Sequence, residues 1–413
     1  MHWALGRRLG DVLDDPGNGF GVLRVILALA VVFSHSFYLT TGLTADEPLY
    51  RATGLTLGQH AVHAFFVLSG LLVTASLARA ETLQDFAKAR ALRILPGLLV
   101  CAGLTAFVLG PLLTSLPVGA YLTSSEPYLY VLKTAAFITG NAELPGVFET
   151  NRVAGEINIP VWTLKYEVVC YVALVALALL GVFRSWGATT LVLSSAAVAA
   201  VLVAASGFPG AADGHAVSLS PAGLGLSFTI GVAAFVIKDR LPVGLAPIGI
   251  AIIAYGLCRG SALELPALSA LTAALAFGVA LLPFGRLARS TQRTDLSYGT
   301  YIYGWPVMQL LLQLDPGLSQ MQLFVLALTL VLPLAYLSWR LVERPALSFK
   351  RRRAVPQLGS LGQQITAARP PIAPAEAARL DVDGEAMLPP PTRRRINRAL
   401  RVSTRQTMRV VKA

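Results

Sequence analysis

Residues 20–40 read FGVLRVILALAVVFSHSFYLT. The run matches the ~20 apolar residues a helix needs to cross a bilayer. Only Arg24 and His35 place basic groups inside it. Nine comparable runs follow, at about 60–79, 92–114, 160–182, 187–205, 222–237, 242–258, 266–284, 297–314 and 321–342. The reading is an all-α, polytopic transmembrane helical bundle of about ten spans. A shorter apolar stretch, 128–140, falls below spanning length and is expected to be re-entrant or interfacial.

Composition agrees. Hydrophobic residues make up 55% of the chain and charged residues 14%, with a mean hydropathy of +0.63. A soluble chain carries about a quarter charged residues, and this one in water would leave large apolar patches uncovered. The net charge of +12 invites a nucleic-acid reading, but its placement argues against one. Residues 350–413 hold 14 Lys and Arg against four Asp and Glu, so the remainder is nearly neutral. Cys101, Cys170 and Cys258 lie in or at the ends of apolar runs, as small packing residues do. The first run is too long for a signal-peptide core and is read as a retained span.

Lys and Arg bias sets the expected orientation. Arg7 and Arg8, then Arg79, Lys88, Arg90 and Arg93, then Arg184, Lys238 and Arg240, then Arg286, Arg289 and Arg293 all fall on one side if the spans alternate and 128–140 does not cross. That side is read as cytoplasmic, with both termini on it. Residues 115–159 form the largest external loop. The chain divides into a membrane domain, 1–349, and a basic tail, 350–413, which is too poor in large apolar residues for a core and is expected to be disordered.

Ionisable groups within a membrane are costly and often functional. Arg24 and His35 are eleven residues apart, three helical turns plus about 20°, so they share one face, roughly 16 Å apart along the axis. Alone, the pair leans towards a snorkelling arginine and a hydrogen-bonded packing histidine. Arg90 and Arg93 share a face at i,i+3 and form a basic mouth. Their forked donors suit phosphate oxygens, although such residues also mark a cytoplasmic flank. Glu167 is placed at about the depth of His35, where it would fix the imidazole tautomer; pairing with Lys165 is the alternative. His60 and His63 also stand at i,i+3, but two ligands without a third make no zinc site, and no metal is expected. Tyr301, Tyr303 and Trp305 are read as packing or interface aromatics. The chain has no Walker loop, no Gly-x-Ser-x-Gly elbow and no His-Glu-x-x-His.

Five elements together resemble the acyltransferase 3 family of integral membrane acyltransferases, which includes bacterial O-acetylases of surface polysaccharides. They are Arg24-x10-His35, the phenylalanine-rich stretch from His63 to Ser69-Gly70, Arg90-x-x-Arg93-Ile94-x-Pro96, Trp162-Thr163-Leu164-x-x-Glu167, and the late stretch from Ser297-Tyr298 through Tyr301 and Tyr303 to Trp305-Pro306. Their order covers about residues 18–346. Gly304 departs from the pattern, since a histidine often precedes Trp-Pro. The resemblance implies a bacterial inner-membrane enzyme. Its acyl donor is usually acetyl-CoA, from the cytoplasmic side, and its acceptor is a glycan, such as an exopolysaccharide or a lipid-linked precursor. Lys165 and Tyr166 resemble members acting on exopolysaccharide. Arg24, Arg90 and Arg93 would hold the donor, while His35, as general base or transient acyl carrier, and Glu167 would serve catalysis. A transporter of lipid-linked sugar or acyl groups also explains the spans and their charges, but not five such elements in order.

Overall fold

The structure is a computed structural model that describes residues 7–138, 143–205, 221–261 and 263–349. The basic tail, 350–413, lies outside the described residues. Each expected span coincides with a helix: α1 (Phe20–Thr41), α2 (Leu57–Arg79), α3 (Leu83–Leu104), α5 (Trp162–Leu179), α6 (Trp186–Ala205), α7 (Pro221–Val236), α8 (Leu245–Cys258), α9 (Glu264–Ala280), α11 (Ser297–Leu314) and α12 (Gln320–Ser338). Among the shorter helices between them are α4 (Glu126–Ala135) and α10 (Arg286–Arg293). Among the described residues, five stretches are long and apolar enough to cross a bilayer: Phe20–Thr41, Leu57–Arg79, Leu83–Leu113, Ile159–Leu179 and Gln320–Ser348. Helices α7, α8 and α9 are apolar but shorter. Large apolar side chains such as Val172, Ile250, Ile253 and Leu257 are exposed on the periphery. The chain is an all-α membrane protein. Strand among the described residues is limited to the antiparallel pair Arg7–Arg8 with Pro242–Val243.

Local sequence sets the helix ends. Thr56 and Gln59 form a reciprocal capping box at the start of α2, and Ser319 and Gln322 form one at α12, each satisfying two orphan amides. Helix α1 stops at Gly42, whose φ of 76° closes the last turn onto the Tyr38 carbonyl. Helix α3 starts nine residues before its apolar run, at the Thr82 cap. This places Arg90 and Arg93 on a helix rather than in a connection.

Helix α2 is the axis of the bundle. Of its apolar window 78% is buried, against 28% for the peripheral stretch Gln320–Ser348. A helix apolar on every face belongs where neighbours surround it. Its closest neighbour is α7. A Cβ on Gly70 would lie 2.1 Å from the Phe228 carbonyl oxygen, and one on Gly231 would lie 2.1 Å from that of Val67. The Ser-Gly that ends the second-span element is therefore a backbone crossing point, of the small-residue kind that brings membrane helices together.

Two helices carry irregular turns beside the site. Pro306 removes the amide that would bond the Ile302 carbonyl. That carbonyl takes Asn158 Nδ2 at 2.9 Å and Cys101 Sγ at 3.3 Å instead. After α12 the chain widens into a π-helical turn, Trp339–Glu343, ahead of Pro345, and this turn carries the fully buried Glu343. Such single-turn widenings are frequent at functional sites.

From Tyr128 to Ile138 the chain runs back along α3. Tyr128 packs against Phe107 near the far end of α3, with ring centres 5.2 Å apart. Phe137 lies deeper, in a crevice with Arg90, Ile94 and Tyr171. By Leu144 and Val147 the chain is again beside Ala102, Ala106 and Tyr121. Residues 139–142 lie outside the described set.

Candidate active site

The bundle has a basic end, with Arg79, Lys238 and the start of α11, and a loop end, with residues 42–56 and 143–159. Three cavities run in series between them. The outermost at the basic end, about 290 Å³, is lined by Asp14, Asn18, Arg24, Leu72, Arg79, Lys238 and Gln292, among others. It shares Arg24 and Leu72 with a second cavity, the basic chamber, of about 150 Å³. The basic chamber brings together Arg24, Arg90, Arg93, Ser69, Glu167, Tyr171 and Tyr301. It shares Val62, Thr163 and Tyr301 with a third, the histidine chamber, of about 240 Å³. His35, Tyr38, Glu47, Gln59, Trp162 and Trp305 line that last chamber.

The two ends of the α1 face thus open into different chambers, as their axial separation requires. Arg24 Nη2 lies 3.0 Å from Asp295 Oδ2. Arg93 Nη2 approaches the same oxygen at 2.6 Å, and its Nη1 lies 3.5 Å from Glu343 Oε2. Asp295 Oδ1 accepts from the Ser297 amide and hydroxyl, at 3.1 and 2.6 Å. Burial alone would raise the Asp295 carboxyl. The guanidiniums of Arg93 and Arg24, together with the Ser297 donors, outweigh it and hold the group well below the usual carboxylate range.

This alters the expected donor site. Arg24 and Arg93 are not a bare phosphate clamp, because Asp295 already bridges them. Arg90 differs. It has no carboxylate partner among the described residues, and Nη2 makes only a 3.3 Å bond to Ser76 Oγ. The Nε groups of Arg24 and Arg90 have no acceptor among the described residues. These two arginines keep donor capacity, while Arg93 is committed to the scaffold.

Glu167 is also placed differently from expectation. It does not orient His35. It lines the basic chamber, accepts from Ser69 Oγ at 3.0 Å and takes a short bond from the Tyr171 hydroxyl. Trp162 begins α5 at the loop end, and five further residues carry Glu167 a turn and a half down the helix, past the partition. Lys165 turns instead over the Tyr166 ring, 5.6 Å from its centre.

His35 makes no hydrogen bond to the described residues. Its ring meets Trp305 edge to face, with centres 5.0 Å apart. Trp305 is fixed by its own bond, Nε1 to the Glu156 carbonyl at 2.8 Å. Gln309 on the same helix donates to the Val153 and Glu156 carbonyls and accepts from Asn151. Through these bonds residues 151–156 are strapped to α11. Gly304, where a histidine often stands in the resembling family, packs its backbone against α1; a Cβ there would lie 2.9 Å from Val32 Cγ2. His60 and His63 do not converge. His60 bonds Thr53 and His63 bonds Ser227.

Asp295, Glu343 and Glu47 were not singled out from sequence. Glu47 is fully buried in the histidine-chamber wall, where its carboxylate accepts from the amides of Leu49, Tyr50 and Leu57. Tyr301 and Trp305, read as packing aromatics, line the chambers directly.

Comparison with known proteins identifies the family. A family profile described as an acyltransferase domain matches residues 18–340. An O-acetyl transferase of Shigella phage Sf6 is 28% identical over 347 residues, covering 79% of this chain and 95% of its own length. Nodulation protein 10 of Rhizobium leguminosarum bv. viciae is 26% identical over 364 residues, covering 81% of this chain and 94% of its own. No solved structure matches. The match covers α1 to α12, and the chain belongs to the acyltransferase 3 family as a membrane O-acyltransferase.

Proposed function

We propose that the protein carries an acyl group, acetyl in the first instance, from cytoplasmic acyl-CoA to a hydroxyl of a glycan on the far side of the bacterial inner membrane. The glycan is a cell-surface or exopolysaccharide chain or its lipid-linked precursor. In this reading ten helices cross the membrane, the basic end and both termini face the cytoplasm, and membrane lipid surrounds the bundle. The observation that carries it is the unbroken series of shared cavity walls from Arg79 to His35.

The CoA phosphates are held at the basic end, by Arg24 and Arg90 with their spare donors and by Arg79 and Lys238 at the opening. Arg93, fixed by Asp295 and Glu343, keeps that end organised. The pantetheine arm extends through the basic chamber past Ser69 and Glu167, and the thioester stops at Tyr301. The acceptor hydroxyl enters from the loop end against His35 and Trp305. As general base, His35 takes the hydroxyl proton while the oxygen bonds the acyl carbon and the carbon–sulfur bond breaks; the proton ends on the thiolate, and CoA leaves as the thiol. As transient carrier, an imidazole nitrogen bonds the acyl carbon first and yields it to the hydroxyl, with the same products. Rapid quenching and mass spectrometry of the His35 peptide separates the routes.

Reconstituted protein given labelled acetyl-CoA and its cell's glycan is expected to yield free CoA and labelled glycan in equal amounts. Labelled material crossing the bilayer with its thioester intact would point to a transporter instead.

A further inference from the structure

We propose that Val62, Thr163 and Tyr301 form an acyl-selecting partition, and that the length of acyl chain this enzyme transfers is set there. The proposal rests on the acyl-transfer reading above. The three residues come from α2, α5 and α11, and among the described residues they alone line both the basic chamber and the histidine chamber. Any group passing from the Arg90 side to the His35 side goes between them.

The partition is stiff on one side and smooth on the other. The Tyr301 hydroxyl lies 2.7 Å from Thr163 Oγ1 and donates to the Pro160 carbonyl at 2.8 Å. Thr163 Oγ1 bonds the same carbonyl at 3.1 Å. The Tyr301 ring is steadied by Phe65, edge to face at 6.1 Å. This triangle fixes the ring across the passage. Val62 faces it with two methyl groups from the central helix and is itself buried.

Geometry then limits the acyl group. Acyl carbon and acceptor oxygen must come within about 3–3.5 Å of each other, and that oxygen must sit within about 2.6–3.2 Å of His35. The carbonyl therefore reaches the partition while the CoA remains in the basic chamber. Any alkyl chain beyond the carbonyl must lie between Val62 and Tyr301. A wall of this kind discriminates one methylene by about 10-fold or more.

The test compares acetyl-, propionyl- and butyryl-CoA in membranes that carry the full chain and its endogenous glycan. It reads CoA thiol release together with acyl groups on the glycan. Val62→Ala is expected to raise the propionyl-to-acetyl ratio by about 10-fold. Val62→Ile should lower it by a similar factor. Tyr301→Phe, which frees the ring from Thr163 and Pro160, should shift the ratio in the Val62→Ala direction. A fold defect depresses all three thioesters together and cannot produce opposite shifts in the two Val62 variants. Ratios that stay at the wild-type value in all three variants overturn the partition. Absence of thiol release from any thioester in the wild type instead overturns the acyl-transfer reading.

Discussion

In the basic chamber Arg24 and Arg93 meet on one carboxylate and Arg93 reaches a second, while Glu167 is held by a serine and a tyrosine. Past the partition, His35 makes no hydrogen bond to the described residues and meets the Trp305 ring edge to face. The two ends of one helix face have thus been treated in opposite ways. Buried charges that serve as framework must be answered, since an unanswered one costs several kcal/mol. A group that must accept a substrate proton is useful only if its ring nitrogens are left open. Neutrality marks the scaffold, and vacancy marks the chemistry.

The contrast breaks most directly at His35. Replacing it with alanine should cut thiol release by about 10²–10⁴-fold, the range for a lost general base, with expression and thermal stability kept. Full turnover in His35→Ala would make the histidine chamber a passage without chemistry. The reverse pattern is expected at Asp295. Asp295→Asn leaves Arg24 and Arg93 sharing no anion, a loss of about 3–5 kcal/mol, read as a large drop in melting temperature in detergent. Its carboxyl is held low, so its contribution is present above the unfolded pKa and is lost only as pH falls through the folded value. Melting in the native protein should therefore show no step from this group between pH 5 and pH 8. A step in that window that Asp295→Asn removes would show that the two arginines do not hold the carboxylate ionised.

Much of this was legible in the residues. All ten apolar runs became helices, because hydropathy over about 20 residues reports the same burial that fixes a bundle. Arg24, Arg90, Arg93, Glu167 and His35 all line the cavity series. The carboxylates were missed for a physical reason. Asp295 sits two residues before the last-but-one run and Glu343 one residue after the last, and hydropathy draws its boundaries at charges. A rule that intramembrane arginines need anions would have sent the search to those flanks. Glu167 departs from expectation for another reason: five residues beyond Trp162 carry it a turn and a half along α5, past the partition and into the basic chamber, so it does not share the depth of His35.

Arg90 tests the contrast within the basic chamber itself. It is the arginine there without a carboxylate. Arg90→Ala should raise the KM for acetyl-CoA by about tenfold, the worth of a charge-assisted bond, and leave kcat and stability nearly unchanged. Arg93→Ala should lower stability as well, because it strands Glu343. If both variants shift KM alone, the division between donor-binding and framework arginines fails.

The smallest effect is expected at Asn158, which bears on how the histidine chamber keeps its shape. Pro306 leaves the Ile302 carbonyl without its helical amide, and Asn158 Nδ2 supplies the stronger of its two replacement donors. Asn158→Ala leaves that carbonyl with the Cys101 thiol, a weak donor. The loss should be about 1–2 kcal/mol, the range for a buried acceptor losing its partner. Because Ile302 follows Tyr301 and lies one turn before Trp305, the slackening should reach both. Acceptor KM should therefore rise while donor KM stays fixed, which a stability loss alone would not produce. Asn158→Asp removes the donor at nearly equal volume and should behave as Asn158→Ala does. If instead it retains wild-type acceptor KM, the bond to Ile302 is incidental, and the loop straps made by Trp305 and Gln309 carry the chamber by themselves.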